Sequence, residues 1–145
     1  MNATTGNIWT FYDTWGAYVA VPTNGFVKQN GLAVMGTGLA AQAAGKFYPL
    51  AASLGQMLAA YGNHVFLFPQ WRIITFPVKD DWRDSAKLLL INRSAVELQK
   101  LLCVCYIPTR AVMPKVGCGN GGLQWEDVGP LLTPLGDAVQ IVDWR

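Results

Sequence analysis

Strands that alternate with helices along the chain predict a three-layer α/β domain, with its sheet held between helices. Composition agrees: 52% of residues are hydrophobic and only 14% charged, the balance of a sheet buried on both faces. At 145 residues the chain can bury a core without disulfide or metal staples, so one domain over residues 1–145 is expected.

Asn7 to Phe11 (NIWTF) and Tyr18 to Val21 (YVAV) read as the first two strands, being β-branched and aromatic. Pro22 and Asn24-Gly25 break the second run. A polar loop follows, Lys28-Gln29-Asn30-Gly31, and then Val34-Met35-Gly36-Thr37-Gly38. Beyond Gly38 the chain turns to Ala and Leu, so Leu39 to Phe47 reads as a helix. Pro49 to Tyr61 reads as another, with proline suited to its first turn. Val65 to Phe68 and Arg72 to Phe76, separated by Pro69-Gln70-Trp71, give two further strands. The longest helical pattern is Ser85 to Leu102, with Asp84 available as N-cap. Leu88, Ile91, Ala95, Leu98 and Leu102 recur at threes and fours and form its core stripe. Ala111 to Val116 reads as a strand running into Gly117-Cys118-Gly119-Asn120-Gly121-Gly122. Gln124 to Leu131 reads as a short helix and Ala138 to Trp144 as the closing strand, which makes six strands.

Several function classes recede at this level. No segment reaches the ~18 uninterrupted apolar residues of a membrane helix. Met1-Asn2-Ala3-Thr4-Thr5-Gly6 has neither the basic nor the apolar region of a signal peptide. Cys103 and Cys105 are too close for an ordinary disulfide, and Cys118 sits in a glycine loop. Reduced thiols in a cytoplasm are therefore expected. His64 has no partner at ligand spacing and no CxxC occurs, so no metal is expected. A net charge of +2 is too small to argue for nucleic acid or an anionic membrane.

Chemistry concentrates at two glycine loops. Strand, glycine loop and helix N-terminus present backbone N–H groups to an anion, and the helix dipole adds its sign. Gly36 and Gly38 let the backbone approach a phosphate that a Cβ would obstruct. A lone Gly-Thr-Gly also fits a plain strand-to-helix turn. The second loop, Gly117 to Gly122, supports the anion reading.

Taken together, VMGTGLAAQ (Val34–Gln42) and PKVGCGNGGLQWEDV (Pro114–Val128) resemble the macro domain, the ADP-ribose-binding module. The resemblance extends over nearly the whole chain. It is nearest to the subgroup of antitoxin-type DNA ADP-ribosyl glycohydrolases and terminal ADP-ribose protein glycohydrolases. That subgroup carries V-M-G-x-G-I/L-A-x-Q, F-P-x-K and G-C/A-G-x-G-G-L-x-W. Here these are Val34–Gln42, Phe76-Pro77-Val78-Lys79 and Gly117–Trp125. The resemblance implies a three-layer α-β-α macro-domain fold with a central mixed, mostly parallel sheet of about six strands. It also implies a monomer without cofactor or membrane contact, whose partner is ADP-ribose or an ADP-ribosylated macromolecule such as DNA.

What it implies for residues is a cleft between the two loops. Gly36, Thr37 and Gly38, flanked by Met35 and Leu39, would serve one side of the diphosphate. Gly117, Cys118, Gly119, Asn120, Gly121, Gly122 and Leu123 would close over the other. Thr23, Asn24 and Gly25 would lie near the distal ribose, where an Asn amide both donates to and accepts from hydroxyls. An Asn-Gly turn also explains Asn24-Gly25. The family usually has Gly-Asp-Ile or Gly-Asp-Leu after the first strand, its carboxylate accepting from the adenine amino group. This chain has Gly6-Asn7-Ile8. Asn7 can accept without charge assistance and Ile8 can offer its N–H, so adenine should be held more weakly.

Lys79 matches the lysine that the subgroup uses at the anomeric carbon of the distal ribose. It would attack C1″ if desolvated and neutral, or position the substrate as a cation. Protein-directed members also use an Asp just after G-C-G. Asn120-Gly121-Gly122 stands there instead, which fits the DNA-directed pattern. Beside Asp80 and Asp81, Lys79 also reads as a solvated cation at a strand end. Trp82 either stacks on a substrate base or walls the cleft, whereas Trp125 reads as core. Arg72, Arg83, Lys87 and Arg93 would form at most a weak basic face. Cys118 has no neighbouring His to activate it as a nucleophile. The expected function is a hydrolase that removes ADP-ribose from a base or protein. The alternatives are a non-catalytic reader of ADP-ribose and an ADP-ribose-1″-phosphate phosphatase.

Overall fold

The structure, a computed structural model, describes residues 3–105 and 110–144. Met1 and Asn2, read above with the N-terminus, lie outside them. Among the described residues one sheet contains β1 (Ala3–Gly6), β2 (Tyr18–Thr23), β3 (Phe66–Phe68), β4 (Ile73–Pro77), β5 (Ala111–Met113) and β6 (Val139–Trp144). Their spatial order is β1-β6-β5-β2-β4-β3. Neighbours are parallel except β3 and β4. The helices are α1 (Ile8–Trp15), α2 (Gly38–Lys46), α3 (Leu50–Tyr61), α4 (Leu88–Val104) and α5 (Trp125–Leu132). A 3₁₀ segment, Thr133–Ala138, precedes β6.

Side chains alternate across the sheet and build two cores. Val19, Val21, Ile73 and Val112 pack with Ile8 and Trp9 of α1, Ala43 of α2 and Leu50 and Leu54 of α3. Ala20, Ile74, Phe76, Met113 and Ile141 pack with Ile91, Ala95 and Leu98 of α4 and Val128 and Leu132 of α5. The three-layer α/β architecture with a mixed, mostly parallel sheet is thus the observed one. Because β1, β2, β4, β5 and β6 run the same way, their C-terminal ends share one edge. Asn7, Asn24, Lys79 and the Gly117–Gly122 loop all follow those ends. Ligands of open parallel sheets sit at that edge.

The expected strand at Asn7–Phe11 is instead the start of α1, and the first strand is Ala3–Gly6. The aromatic and β-branched content of NIWTF obscured two caps. Asn7 Oδ1 accepts from the Trp9 N–H at 2.9 Å, and Gly16 closes the helix at φ +69°. β2 is not broken at Pro22 but continues to Thr23. Its Val19 N–H donates to Arg72 O on the β4 side, so Pro22, three residues on, faces the β5 side. There β5 pairs only with Tyr18 and Val19, and a missing N–H breaks no ladder.

α4 starts at Leu88, with Lys87 and not Asp84 at its N-cap position. The intervening N–H groups are committed elsewhere: Asp84 to Asp81 O, Ala86 to Gly121 O and Lys87 to Val78 O, at 3.0, 3.0 and 2.9 Å. Leu88 is consequently exposed, and Leu90 and Ser94 join Ile91, Ala95 and Leu98 on the buried side. β5 ends at Met113, short of the expected Val116, because Pro114 cannot donate to a ladder.

Candidate functional site

The first glycine loop is suspended from the end of β2. Thr23 is buried, and its carbonyl accepts from the Val78 N–H at 3.0 Å. Asn24, half-buried, uses both ends of its amide. Oδ1 accepts from the Phe26 N–H at 2.9 Å, and Nδ2 donates to Val34 O at 3.0 Å. One Nδ2 proton and one oxygen lone pair stay available. The turn alternative and the site reading of Asn24 are therefore compatible. Met35 and Leu39 turn their side chains to the core, so only their backbones border the loop.

Gly36, Thr37 and Gly38 are exposed at the start of α2. Their N–H groups donate to no backbone carbonyl among the described residues, and Thr37 makes no side-chain cap bond. Open donors at the positive end of a helix are the arrangement that takes a phosphate. Gly38 has φ +58°, a conformation that favours glycine.

The second loop is shaped by packing at its base and open at its tip. Gly117 has φ +74°. Gly121 is buried, where a Cβ would lie 2.5 Å from Gly117 O and 2.7 Å from Ala86 Cβ. The Leu123 N–H donates to Gly117 O at 2.9 Å and the Gly122 N–H to Gly119 O at 3.1 Å. Gly119, Asn120 and Gly121 donate to no backbone carbonyl among the described residues. Cys118 and Leu123 pack on the second core. Burial raises the Cys118 thiol pKa and nearby Lys115 lowers it less, so Cys118 is a poor nucleophile.

Lys79 is half-buried where β4 leaves the sheet, and its Nζ donates to Asp84 O at 3.1 Å. Its carbonyl accepts from Asn63 Nδ2 at 3.1 Å, which also reaches Asp80 Oδ1 at 3.0 Å. The Gly25 N–H donates to Asp80 O at 3.0 Å. A Cβ on Gly25 would come within 2.8 Å of the Asn63 side chain, so only glycine allows this approach. Asn24 and Lys79 are thus fastened to one another through Gly25, Asp80 and Asn63. Sequence reasoning missed Asn63 because an Asn after Gly signals only a turn. The second loop joins the same assembly through the Ala86–Gly121 and Lys87–Val78 bonds.

Other candidates divide. Asn7 Oδ1 is engaged as the α1 cap, and the Ile8 side chain is fully buried, leaving its first-turn N–H for a ligand. Trp125 packs against the second core with Lys115 Nζ 5.4 Å from a ring centroid. Arg72 does not join a basic face: it donates to Tyr12 O and Ala17 O and lies over the Tyr12 ring. A cavity of about 300 Å³ lined by Phe11, Trp15, Ala17, Arg110 and Gln140 contains none of the predicted site residues. It lies toward the starts of β2 and β5, away from the edge that gathers them.

In the loop after Lys79, the Arg83 Nε and Nη2 donate to the two oxygens of Asp81 at 2.9 and 2.7 Å. These bonds lower the Asp81 pKa from its ordinary 3.8 to about 2. A depressed folded-state pKa stabilises above the unfolded value and is lost as pH falls through the folded one. The clasp should therefore hold at neutral and mildly acid pH and open only near pH 2. NMR titration of the Asp81 carboxyl carbon is expected to give a midpoint near 2. A midpoint at the ordinary value would show that the clasp does not form.

No family model matches the chain. Two proteins named DNA ADP-ribosyl glycohydrolase, from Mycobacterium bovis (strain BCG / Pasteur 1173P2) and Mycobacterium tuberculosis (strain ATCC 25618 / H37Rv), are each 45% identical to it over 56 residues. That stretch is 39% of this chain and 16% of theirs, so the match spans about a sixth of those relatives. Among solved structures, the macrodomain of Mycobacterium tuberculosis DarG superposes with TM-score 0.77 at 22% identity, covering 99% of both chains. The macrodomain of Thermus aquaticus DarG gives TM-score 0.77 at 22% identity, covering 99% of this chain and 97% of that one. Thermosipho africanus DarTG in complex with ADP-ribose gives TM-score 0.77 at 19% identity, covering 99% of this chain and 42% of that one. At these identities the likeness is one of fold.

Proposed function

We propose that this chain, which has the macro-domain fold, binds ADP-ribose at the C-terminal edge of its sheet and hydrolyses it from a nucleic-acid base. The observation that carries this reading is the fastening of Lys79 to the Asn24 turn, at the sheet edge that also bears two loops with open backbone donors. Gly36–Gly38 and Gly119–Gly121 receive the diphosphate from opposite sides, where fixed N–H dipoles need no ordering of long cationic side chains. Asn24 orients the distal ribose and Lys79 stands at its anomeric carbon. Water adds at C1″, the bond to the base nitrogen breaks with its electron pair, and that nitrogen takes up a proton. A nucleic-acid acceptor is supported by the names of the two partial relatives and by Asn120 in place of a carboxylate.

A second reading has one observation in its favour. The Lys79 amine is engaged by the Asp84 carbonyl, which suits a reader that holds ADP-ribose without turnover. Parallel incubation with ADP-ribosylated DNA, ADP-ribosylated protein and ADP-ribose-1″-phosphate separates the readings. Release of free ADP-ribose from the DNA, ahead of the other two, is expected. If none of the three is consumed over hours, the reader is correct; if only the phosphate ester is, the chain is a phosphatase.

A further inference from the structure

Beyond Lys79 the same loop displays a ring that the ribose chemistry does not use. Trp82 is 50% exposed, while the cations around it are engaged by acceptors of the same loop. Arg83 clasps Asp81, Lys87 faces Asp80 at 3.8 Å and Lys79 reaches the Asp84 carbonyl. The backbone is braced as well, by Asp84 N to Asp81 O and by Arg83 N to Asp81 Oδ1. The Arg83 guanidinium carbon lies 5.7 Å from the centre of the Trp82 ring and 5.5 Å from that of Phe26. Phe26 belongs to the Asn24 turn, so one guanidinium lies near both the indole and that turn, and the indole is three residues from Lys79 on the same loop.

We propose that Trp82 is a stacking platform for an unpaired base of the nucleic acid that carries the ADP-ribose, adjacent to the modified base. This deepens the hydrolase reading and rests on it: the leaving base departs from C1″, so its strand must pass the rim on which Trp82 stands. A flat, half-exposed indole held in place offers a base the face-to-face contact that makes single-strand binding tolerant of sequence. A base presented for chemistry must already be out of a duplex stack, so its neighbours are free to take up that face. Lys79, Arg83 and Lys87 are balanced by Asp80, Asp81 and Asp84, leaving no net field to select a charged peptide. The contact should accordingly depend little on salt, unlike one made to phosphates.

The test is binding, measured by competition against fluorescent ADP-ribose in Lys79→Ala so that substrate is not consumed. The probes are ADP-ribose, one ADP-ribosylated nucleoside, and a short single-stranded oligodeoxynucleotide carrying the same modified base. The oligonucleotide is expected to bind about tenfold more tightly than the nucleoside, at low and at raised salt. That gap should close in Lys79→Ala/Trp82→Ala and largely persist in Lys79→Ala/Trp82→Phe, with ADP-ribose affinity unchanged within about twofold. A gap that survives loss of the ring, or that is missing while the ring is present, overturns the platform. So does a fall in ADP-ribose affinity itself, which would make Trp82 a cleft wall, or an equal Trp82-dependent gain with an ADP-ribosylated peptide. Turnover is scored separately in the parent. No release of ADP-ribose combined with an intact Trp82-dependent gap refutes hydrolysis and upholds the platform, whereas no binding of any probe refutes both.

Discussion

Lys79→Ala is expected to lose at least ~100-fold in kcat on ADP-ribosylated DNA while binding ADP-ribose within ~1 kcal/mol of the parent. A group that acts mainly in the transition state changes the chemical step and spares ground-state affinity. The lysine is placed for such a role by its backbone, which Asn63 and the Gly25–Asp80 bond hold to the Asn24 turn. Its manner of action divides by pH. A neutral attacking amine needs desolvation and gives activity that climbs with pH, whereas a positioning cation gives no such climb through neutrality. Full activity of Lys79→Ala would leave the cleft possible but this mechanism untenable. Loss of ADP-ribose affinity in step with activity would reduce Lys79 to a binding residue.

Gly36→Val and Gly119→Val should each weaken ADP-ribose binding by at least ~100-fold, about 2.7 kcal/mol, without unfolding the protein. Nothing lies within 4 Å of a Cβ built at either position, and neither has the positive φ that opposes a side chain. A valine there occupies only the space assigned to the diphosphate. Gly38 is a poorer probe than its sequence position suggests. Its φ of +58° would strain a β-branched residue, so lost binding would not distinguish ligand from fold. Calorimetry for affinity and thermal melting for the fold are needed together. Parent-like affinity in both variants would remove the loops from the site.

The sequence made the sheet, five of its six strands and its two glycine loops legible, because β-branched and aromatic runs and glycine clusters are local signals. It misplaced the first strand, since residues that favour a strand also suit a short helix once Asn7 and Gly16 cap it. Start of α4 failed for a non-local reason: Ala86 and Lys87 give their N–H groups to Gly121 and Val78. The part of the site that fixes Lys79 was invisible for the same cause. No spacing rule relates Asn63 to Gly25 and Asp80, which meet only after β2 and β4 pair. Trp82 was recognisable as a candidate from its charged loop, but its exposure, and the Arg83 it shares with Phe26, needed the fold.

Titration calorimetry with ADP-ribose is the decisive measurement, since the roles of Asn24, Lys79 and Trp82 all require that ligand between the two loops. Saturable heat with micromolar-range affinity, roughly −7 to −9 kcal/mol, is expected, and Gly36→Val or Gly119→Val should abolish it. Absence of heat at millimolar ADP-ribose, while another nucleotide binds, would contradict that placement of the ligand.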